Sequence, residues 1–171
     1  MNTHPAPWSP SLKVISVLVT VFCVGISVFM IGWDQSISPW LALLPLTILL
    51  GTAPFTIRSY TVTPDAILIQ RLWWATRLPL EGLQSAEFVP NAMRWSLRTC
   101  GNGGLFSFTG FYRNKALGAY RAYVTNLRQT VVLRFAKRTV VVSPGDPTAF
   151  IQALHTAACG RFQAITASCS S

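Results

Sequence analysis

Two long apolar runs near the start of the chain are the clearest pattern in the sequence. Residues 14–32, VISVLVTVFCVGISVFMIG, include no charged position, and residues 39–57 form a second uncharged run. A helix needs roughly 20 apolar residues to cross a bilayer core of about 30 Å. Trp33 follows the first run, and only residues 34–38 then connect the two helices, which must therefore lie antiparallel. The pattern predicts a two-helix transmembrane hairpin over 11–57, preceded by an N-terminal tail over 1–10.

Each apolar run has one alternative interpretation. The first run could be a secretory signal peptide, but such a peptide has an apolar core of only about 7–15 residues followed by a small-residue cleavage site. Here the run is longer, and the residues WDQSIS follow it. The second run includes Pro45 and Pro54, so its alternative is the buried core helix of a soluble domain. Membrane helices tolerate proline when neighbouring groups satisfy the freed backbone.

After residue 57 the pattern changes to short β-rich runs separated by turn residues. The segment TVVLRF (130–135) places Val131, Leu133 and Phe135 on one face, and TVVV (139–142) follows after a short turn. Similar runs precede and follow the turn TPDA at 63–66. Such runs are typical of antiparallel hairpins. About seven strands are expected within 58–143.

A single amphipathic helix is predicted to follow the strands. Asp146 is suited to the N-cap and Pro147 to the first helical position. Phe150, Ile151 and Leu154 recur at helical spacing and predict a buried face. Gly160 suits the end of the helix. The remaining residues, 161–171, are expected to be a disordered tail.

The charge distribution predicts the orientation of the chain. The net charge is +9, and thirteen of the fourteen lysines and arginines follow residue 57. Lys13 and Arg58 flank the two apolar runs on the same predicted side. By the positive-inside rule, both termini and the C-terminal domain are expected in the cytoplasm, with the hairpin in the membrane. Basic residues are also spread through the middle of the domain, at Arg94, Arg98, Arg113, Lys115, Arg121 and Arg128.

The segment GNGGLFSFTGFYRN (101–114) combines glycine with aromatic residues, and three interpretations apply to it. It lacks the G-K-[ST] end of a phosphate loop, which argues against nucleotide binding. Glycine also serves bulged or tightly turning backbone, where it permits positive φ and close approach. The third interpretation is an exposed loop that contacts lipid or a protein partner, through the residues Phe106, Phe108, Phe111, Tyr112, Arg113 and Lys115.

Residue types that support catalysis, cofactor binding or metal binding are sparse. The two histidines are His4, near the N-terminus, and His155, in the predicted helix. Among the acids, Asp65 lies in a predicted turn and Asp146 at the helix start. No metal-ligand spacing, nucleophile–base arrangement or nucleic-acid motif is present. We therefore expect no catalytic residues, no cofactor, no metal site and no nucleic-acid partner.

Three segments together resemble the bacterial PH domain family, whose members are small membrane proteins with a pleckstrin-homology-like domain. They are GNGGLFSFTGFYRNKALGAYRAYVTN (101–126), TVVLRF (130–135) and TVVVSPGDPTAFI (139–151). The resemblance covers about 58–158, within a predicted PH-like domain over 58–160. It implies an α+β, mainly β fold: an antiparallel β-barrel or bent sheet capped by one C-terminal helix.

The resemblance implies a binding role without naming the ligand, because PH-like folds serve lipid, peptide and assembly functions. We expect a membrane-anchored, non-catalytic binding or assembly module facing the cytoplasm, and the resemblance implies that the membrane is the inner membrane of a bacterium. One alternative is a module that binds anionic phospholipid, which requires the basic residues and the 101–114 segment on one membrane-facing side. The other is an accessory subunit of a transporter or envelope complex, which an apolar groove or unpaired strand edge would favour. Homo-oligomer formation is left open.

Overall fold

A computed structural model describes residues 2–33, 39–103 and 105–168 of the chain. Within these residues the helical elements are α1 (Pro10–Trp33), α2 (Pro39–Thr52), a 3₁₀ turn (Ala53–Phe55) and α3 (Pro147–Ser168). The strands are β1 (Asn2–Pro5), β2 (Ile57–Val62), β3 (Ala66–Arg71), β4 (Ala75–Pro79), β5 (Leu83–Phe88), β6 (Leu97–Gly103), β7 (Phe108–Asn114), β8 (Gly118–Val124), β9 (Val131–Phe135) and β10 (Thr139–Val142).

The strands form two sheets rather than one closed barrel. The first sheet has the order β1-β2-β3-β4, and all of its pairs are antiparallel. The second sheet has the order β5-β9-β10-β8-β7-β6, in which only the β8–β10 pair is parallel. The expected α+β architecture is confirmed, while the expected barrel closure is absent between the described strands.

The main core lies between the two sheets and is closed by α3. Its largest fully buried side chains include Tyr60, Ile67, Leu133 and Phe150. The Tyr60 hydroxyl donates to the carbonyl of Tyr123 at 2.6 Å, so the first sheet is hydrogen-bonded to the second inside the core. Burial raises the pKa of Tyr60 to about 12, because the charged phenolate would lose its hydration inside the core.

The start of α3 confirms the prediction for residues 146–154. The Asp146 side chain accepts a hydrogen bond from the Ala149 N–H at 3.0 Å, as an N-cap does. Phe150 and Leu154 are buried against the sheets. The predicted helix end at Gly160 is wrong, because α3 continues to Ser168. Glycine inside a helix costs only about 1 kcal/mol relative to alanine, and no proline follows it. Of the predicted disordered tail, 161–168 is thus helical, and 169–171 lies outside the described residues.

The N-terminal segment is not the free tail that the sequence predicted. Strand β1 pairs with β2, and the N–H of Ala6 then donates to the Arg58 carbonyl at 2.9 Å. The second sheet also holds this segment, because Thr125 Oγ1 donates to the Pro7 carbonyl at 3.0 Å. The reason is that β2 would otherwise be an edge strand with unpaired backbone groups, and the extended residues before α1 satisfy them.

The two N-terminal helices contact each other and differ in length. α1 is long and apolar enough to span a membrane, over Pro10–Gly32. The second apolar helix, Trp40–Phe55, is shorter than 18 residues and is not itself a candidate span by length. Most large apolar side chains of α1 are exposed, whereas Leu12, Ala42 and Leu49 are buried. The predicted connection at 34–38 lies outside the described residues.

Candidate functional site

The glycine-rich segment forms a β-hairpin, which agrees with the bulge-or-turn interpretation of this segment. β6 and β7 pair antiparallel, with Gly101 opposite Gly110. Both glycines have positive φ, 119° and 143°, and a Cβ on either one would overlap the backbone of the facing strand. The two backbones approach too closely for side chains here, as the bulge-and-close-approach interpretation expects.

This hairpin separates the six predicted contact residues instead of gathering them. Phe106 lies in the turn that faces α1. Phe108 packs on a second hydrophobic cluster of this sheet, which includes Met93, Tyr120, Val124 and Val141. Tyr112 belongs to that same cluster and is buried. Phe111 and Arg113 are exposed on the inner side, while Lys115 lies at the far β7–β8 turn. Residues that alternate along a strand point to opposite faces, which sequence proximity alone does not reveal.

One end of the domain faces the helices, and its polar groups are satisfied internally. The N–H of Phe106 donates to the Ser16 hydroxyl of α1 at 3.1 Å, and the Ser107 hydroxyl donates to the Phe55 carbonyl at 3.1 Å. The Trp8 ring lies 6.2 Å from the Phe106 ring, and Phe55 meets Trp74 edge-on at 5.3 Å. We call these residues together with Arg71 the helix-facing end.

Arg71 is the buried cation of the helix-facing end. Only 8% of this residue is exposed. Its guanidinium donates to Thr76 Oγ1 at 3.2 Å and to the Phe55 carbonyl at 3.4 Å. It lies over the rings of Phe55, Trp74 and Tyr123 at 5.5, 5.7 and 5.5 Å. Burial lowers the pKa of Arg71, and the positive charge of Arg121 lowers it further while Tyr123 raises it.

A groove of about 530 Å³ opens where β4, the edge of the first sheet, faces the second sheet. We call it the basic groove. Its cationic side chains come from β4, β7, β8 and the β9–β10 turn, namely Arg77, Arg113, Arg121, Lys137 and Arg138. None of the described residues that line it is acidic. The groove therefore concentrates positive charge without internal neutralisation, as an anion-binding surface does.

Aromatic rings form the floor of the basic groove. The Arg121 guanidinium lies over Phe111 at 5.3 Å and over Tyr123 at 5.2 Å. Phe111 is 52% exposed, so its ring offers apolar surface within the groove. Burial raises the pKa of Tyr123, and the charges of Arg121, Arg71 and Arg138 lower it in part, so several cations act on this one ring. A bound carboxylate or phosphate would relieve their mutual repulsion.

Sequence reasoning identified Phe111, Arg113 and Arg121 as contact or basic residues and missed the others of the groove. Arg77 falls within a weak strand, and Lys137 and Arg138 form the turn between two clear strands. A basic hairpin turn is a signal that was available in the sequence. What brings it beside Arg77 is the packing of the two sheets, which no local pattern encodes.

A second depression lies at the end of the domain opposite the helices. It is lined by the β5–β6 connection and the β7–β8 turn, including Trp95, Arg94 and Lys115. Trp95 is 86% exposed and has a φ of 57°. This depression has only two basic residues and a mostly apolar lining, so it lacks the charge density of the basic groove. Among the described residues, no group of three or more His, Cys, Asp or Glu could hold a metal ion.

Comparisons with known proteins give one finding. Residues 58–158 match the family model described as the bacterial PH domain, which is more than half of the chain. No curated protein and no solved structure matches the chain. The matched residues contain both sheets from β2 onward, the basic groove and the first half of α3. This chain belongs to the bacterial PH domain family.

Proposed function

We propose that this protein is a membrane-anchored, non-catalytic binding module whose PH-like domain lies in the cytoplasm of a bacterium. In this proposal, α1 and α2 form a hairpin in the inner membrane, and the basic groove is the binding surface. PH-like domains are generally non-catalytic binding modules, which supports the absence of turnover.

The pairing of β1 with β2 carries the proposal. β1 precedes α1 and β2 follows α2, yet Asn2 pairs with Val62 and Pro5 with Ser59. The two ends of the helical pair must therefore lie on the same side of any membrane that α1 crosses. A single crossing would separate the paired strands, so α2 must return the chain to its starting side. α2 and its 3₁₀ turn extend for about 27 Å at ordinary helical rises, close to a bilayer core.

The exposed surface of α1 supports a lipid environment for this pair. Val17, Phe22 and Val28 are each at least 60% exposed, and no charged residue lies between Lys13 and the end of the helix. Burying such side chains in an apolar phase stabilises each by about 1.5–3 kcal/mol. Because residues 2–9 are bonded to both sheets, the domain is held in one orientation relative to α1.

Between the two alternatives, the geometry favours a protein partner over membrane lipid. A lipid-binding role required the basic residues to share the helix-facing side with the 101–114 segment. Phe106 does face α1. Arg113 lies near the other end of β7, six residues after Ser107, which corresponds to about 20 Å along an extended strand. An unpaired strand edge would favour the accessory-subunit role, and among the described strands β4 has such an edge.

Labelling of single cysteines with a membrane-impermeant maleimide tests the topology. One variant keeps only the exposed Cys100 of β6, and a second carries Asn2→Cys in a background without the native cysteines. We expect both to be labelled in inverted vesicles and in permeabilised cells, and neither in intact cells. Labelling of the two cysteines from opposite sides would contradict the hairpin. Labelling of both in intact cells would contradict the cytoplasmic orientation, and release of the protein by alkaline carbonate would contradict the anchor.

A further inference from the structure

Strand β4 ends the first sheet, and one of its edges is free within the described residues. The bonds at the two ends of the β3–β4 ladder define which residues face that edge. Arg71 N–H donates to the Trp74 carbonyl, and Leu80 N–H donates to the Asp65 carbonyl. Antiparallel pairs alternate between hydrogen-bonded and non-hydrogen-bonded positions. The Leu68–Arg77 pair is therefore a non-hydrogen-bonded one, so the N–H and C=O of Arg77 point away from β3.

This free edge opens into the basic groove. Three consecutive β4 residues, Thr76, Arg77 and Leu78, line the groove. Since neighbouring side chains of a strand point to opposite faces, a cavity that touches three in a row runs along the strand edge. Arg138, from the far wall, reaches the same edge and donates to the Pro79 carbonyl at 3.5 Å. The groove thus offers backbone donors and acceptors as well as cations.

We propose that the basic groove binds an extended acidic peptide segment of a partner protein, which adds to β4 as a further strand. The backbone of the segment would pair with Arg77 on the free edge of β4. Its carboxylates would lie between Arg121, Arg113 and Arg138, and its apolar side chains would cover Phe111 and Tyr123. Strand addition supplies affinity through the main chain, while alternate side chains supply specificity.

Position within the fold favours a peptide over a bilayer headgroup. This step rests on the proposed membrane anchor. The groove begins near Thr76 and extends to the β9–β10 turn, at the end of the domain away from Phe106 and α1. Electrostatic attraction to a charged membrane surface falls off over about 8 Å at physiological ionic strength. The charges at Arg113, Lys137 and Arg138 are therefore placed to meet a partner in solution.

Binding of a fluorescent heptapeptide to the full-length protein in detergent micelles tests the proposal. The probe alternates glutamate with valine, and a matched probe has proline in place of each valine. Both have the same charge, but proline residues supply no backbone N–H and resist pairing in a sheet. We expect the valine probe to bind at least tenfold more tightly than the proline probe. Equal binding of the two would overturn strand addition.

Variants of the protein locate the binding site. The double variant Arg121→Ala/Arg138→Ala removes two groove cations, and Arg94→Ala/Arg128→Ala removes two exposed cations outside the groove. We expect the first to weaken binding of the valine probe at least tenfold and the second less than threefold. Equal losses would mean non-specific attraction to a basic protein, and no binding by the wild type would also overturn the proposal.

Two further probes distinguish other anion sources. Phosphatidylglycerol, mixed into the detergent micelles, and inorganic phosphate are each added as competitors of the valine probe. Displacement by phosphatidylglycerol at concentrations where phosphatidylcholine has no effect would mean that the ligand is a lipid headgroup and not a peptide. Displacement by millimolar phosphate would indicate a small phosphorylated ligand. These binding assays use protein in micelles and do not depend on the membrane topology. A negative binding result would therefore contradict the peptide proposal alone, whereas the maleimide labelling tests the anchor.

Discussion

The guanidinium groups of Arg71 and Arg121 both lie over the ring of Tyr123, but one is buried and the other is exposed. Both guanidinium groups are within 5.5 Å of the Tyr123 ring centre. Arg71 is buried, and a hydroxyl and a carbonyl accept its hydrogen bonds. Arg121 is exposed, its ring contacts are with Phe111 and Tyr123, and the cations around it have no acidic neighbour in the groove lining.

The difference lies in what neutralises each charge: the protein itself provides partners for Arg71, and a ligand would provide them for Arg121 in the proposal above. A buried charge costs free energy unless its own protein provides partners, and the helix-facing end provides them for Arg71. A cluster of exposed cations without counter-ions destabilises the folded state slightly through repulsion. We infer that the basic groove keeps such a cluster for a ligand, whereas Arg71 bonds the first sheet to Phe55, which follows α2.

The substitution Gly101→Ala is expected to destabilise the protein most. It lies in the β6–β7 hairpin, which contributes residues to both the helix-facing end and the basic groove. In Gly101→Ala, the new Cβ overlaps the Thr109 carbonyl while φ stays positive. We expect a loss of about 2–4 kcal/mol in the free energy of unfolding. Gly118→Ala is the control, since its φ is 70° but no atom lies within 4 Å, and about 1–2 kcal/mol is expected. Thermal unfolding in detergent compares the two, and equal losses would remove the close approach as the cause.

Deletion of residues 2–5 tests whether the N-terminal strand stabilises the domain. The change removes the whole β1–β2 ladder and leaves β2 with an open edge. We expect a loss of about 2–3 kcal/mol, the sum of a few net backbone hydrogen bonds. Thr3→Ala is the control, because it removes only the partly buried hydroxyl contact with Thr61 and leaves the β1–β2 backbone ladder in place. A deletion that leaves the melting temperature unchanged would mean that the domain is not fixed on α1 by this strand.

Alanine substitution of each arginine sharpens the comparison directly. Arg71→Ala removes a packed side chain and three ring contacts, so a loss of about 2–3 kcal/mol is expected. Arg121→Ala is expected to cost less than about 1 kcal/mol, as ring contacts at exposed sites do. For binding of the acidic valine probe we expect the opposite order: Arg121→Ala should lower the affinity strongly, and Arg71→Ala should lower it little. If both variants lose stability and affinity in parallel, the distinction between the two regions is wrong.

His4 gives the smallest predicted effect and tests the β1 attachment through pH. Its ring packs edge-on against Phe150 at 5.3 Å, and its Nε2 is buried without a hydrogen-bond partner among the described residues. Burial lowers the pKa of His4 below 6.5, and the Asp146 charge raises it in part. The stability contribution is therefore fully present above pH 6.5 and is lost as pH falls through the folded-state pKa. When the pH is lowered from 7 to 5, the melting temperature of the wild type should decrease more than that of the His4→Phe variant.

Features that depend on residues close together in the sequence could be predicted, whereas features that depend on tertiary packing could not. The Asp146 cap and the buried face at Phe150 and Leu154 follow from residues a few positions apart. β1 is a strand only because β2, more than fifty residues later, offers it an edge. The basic groove requires Arg77 to meet Arg121 across two sheets, and that pairing depends on registers the hydrophobic pattern does not specify.

Hydrogen exchange along β4, with and without the valine probe, tests the central claim most directly. The N–H of Arg77 faces the groove, whereas Thr76 and Leu78 already pair with β3. Strand addition predicts that the probe slows exchange at Arg77 and at Ala75, which also faces the free edge, with little change at Thr76 and Leu78. Unchanged exchange at Arg77 under saturating probe would contradict strand addition and reduce the groove to a site for a simple anion.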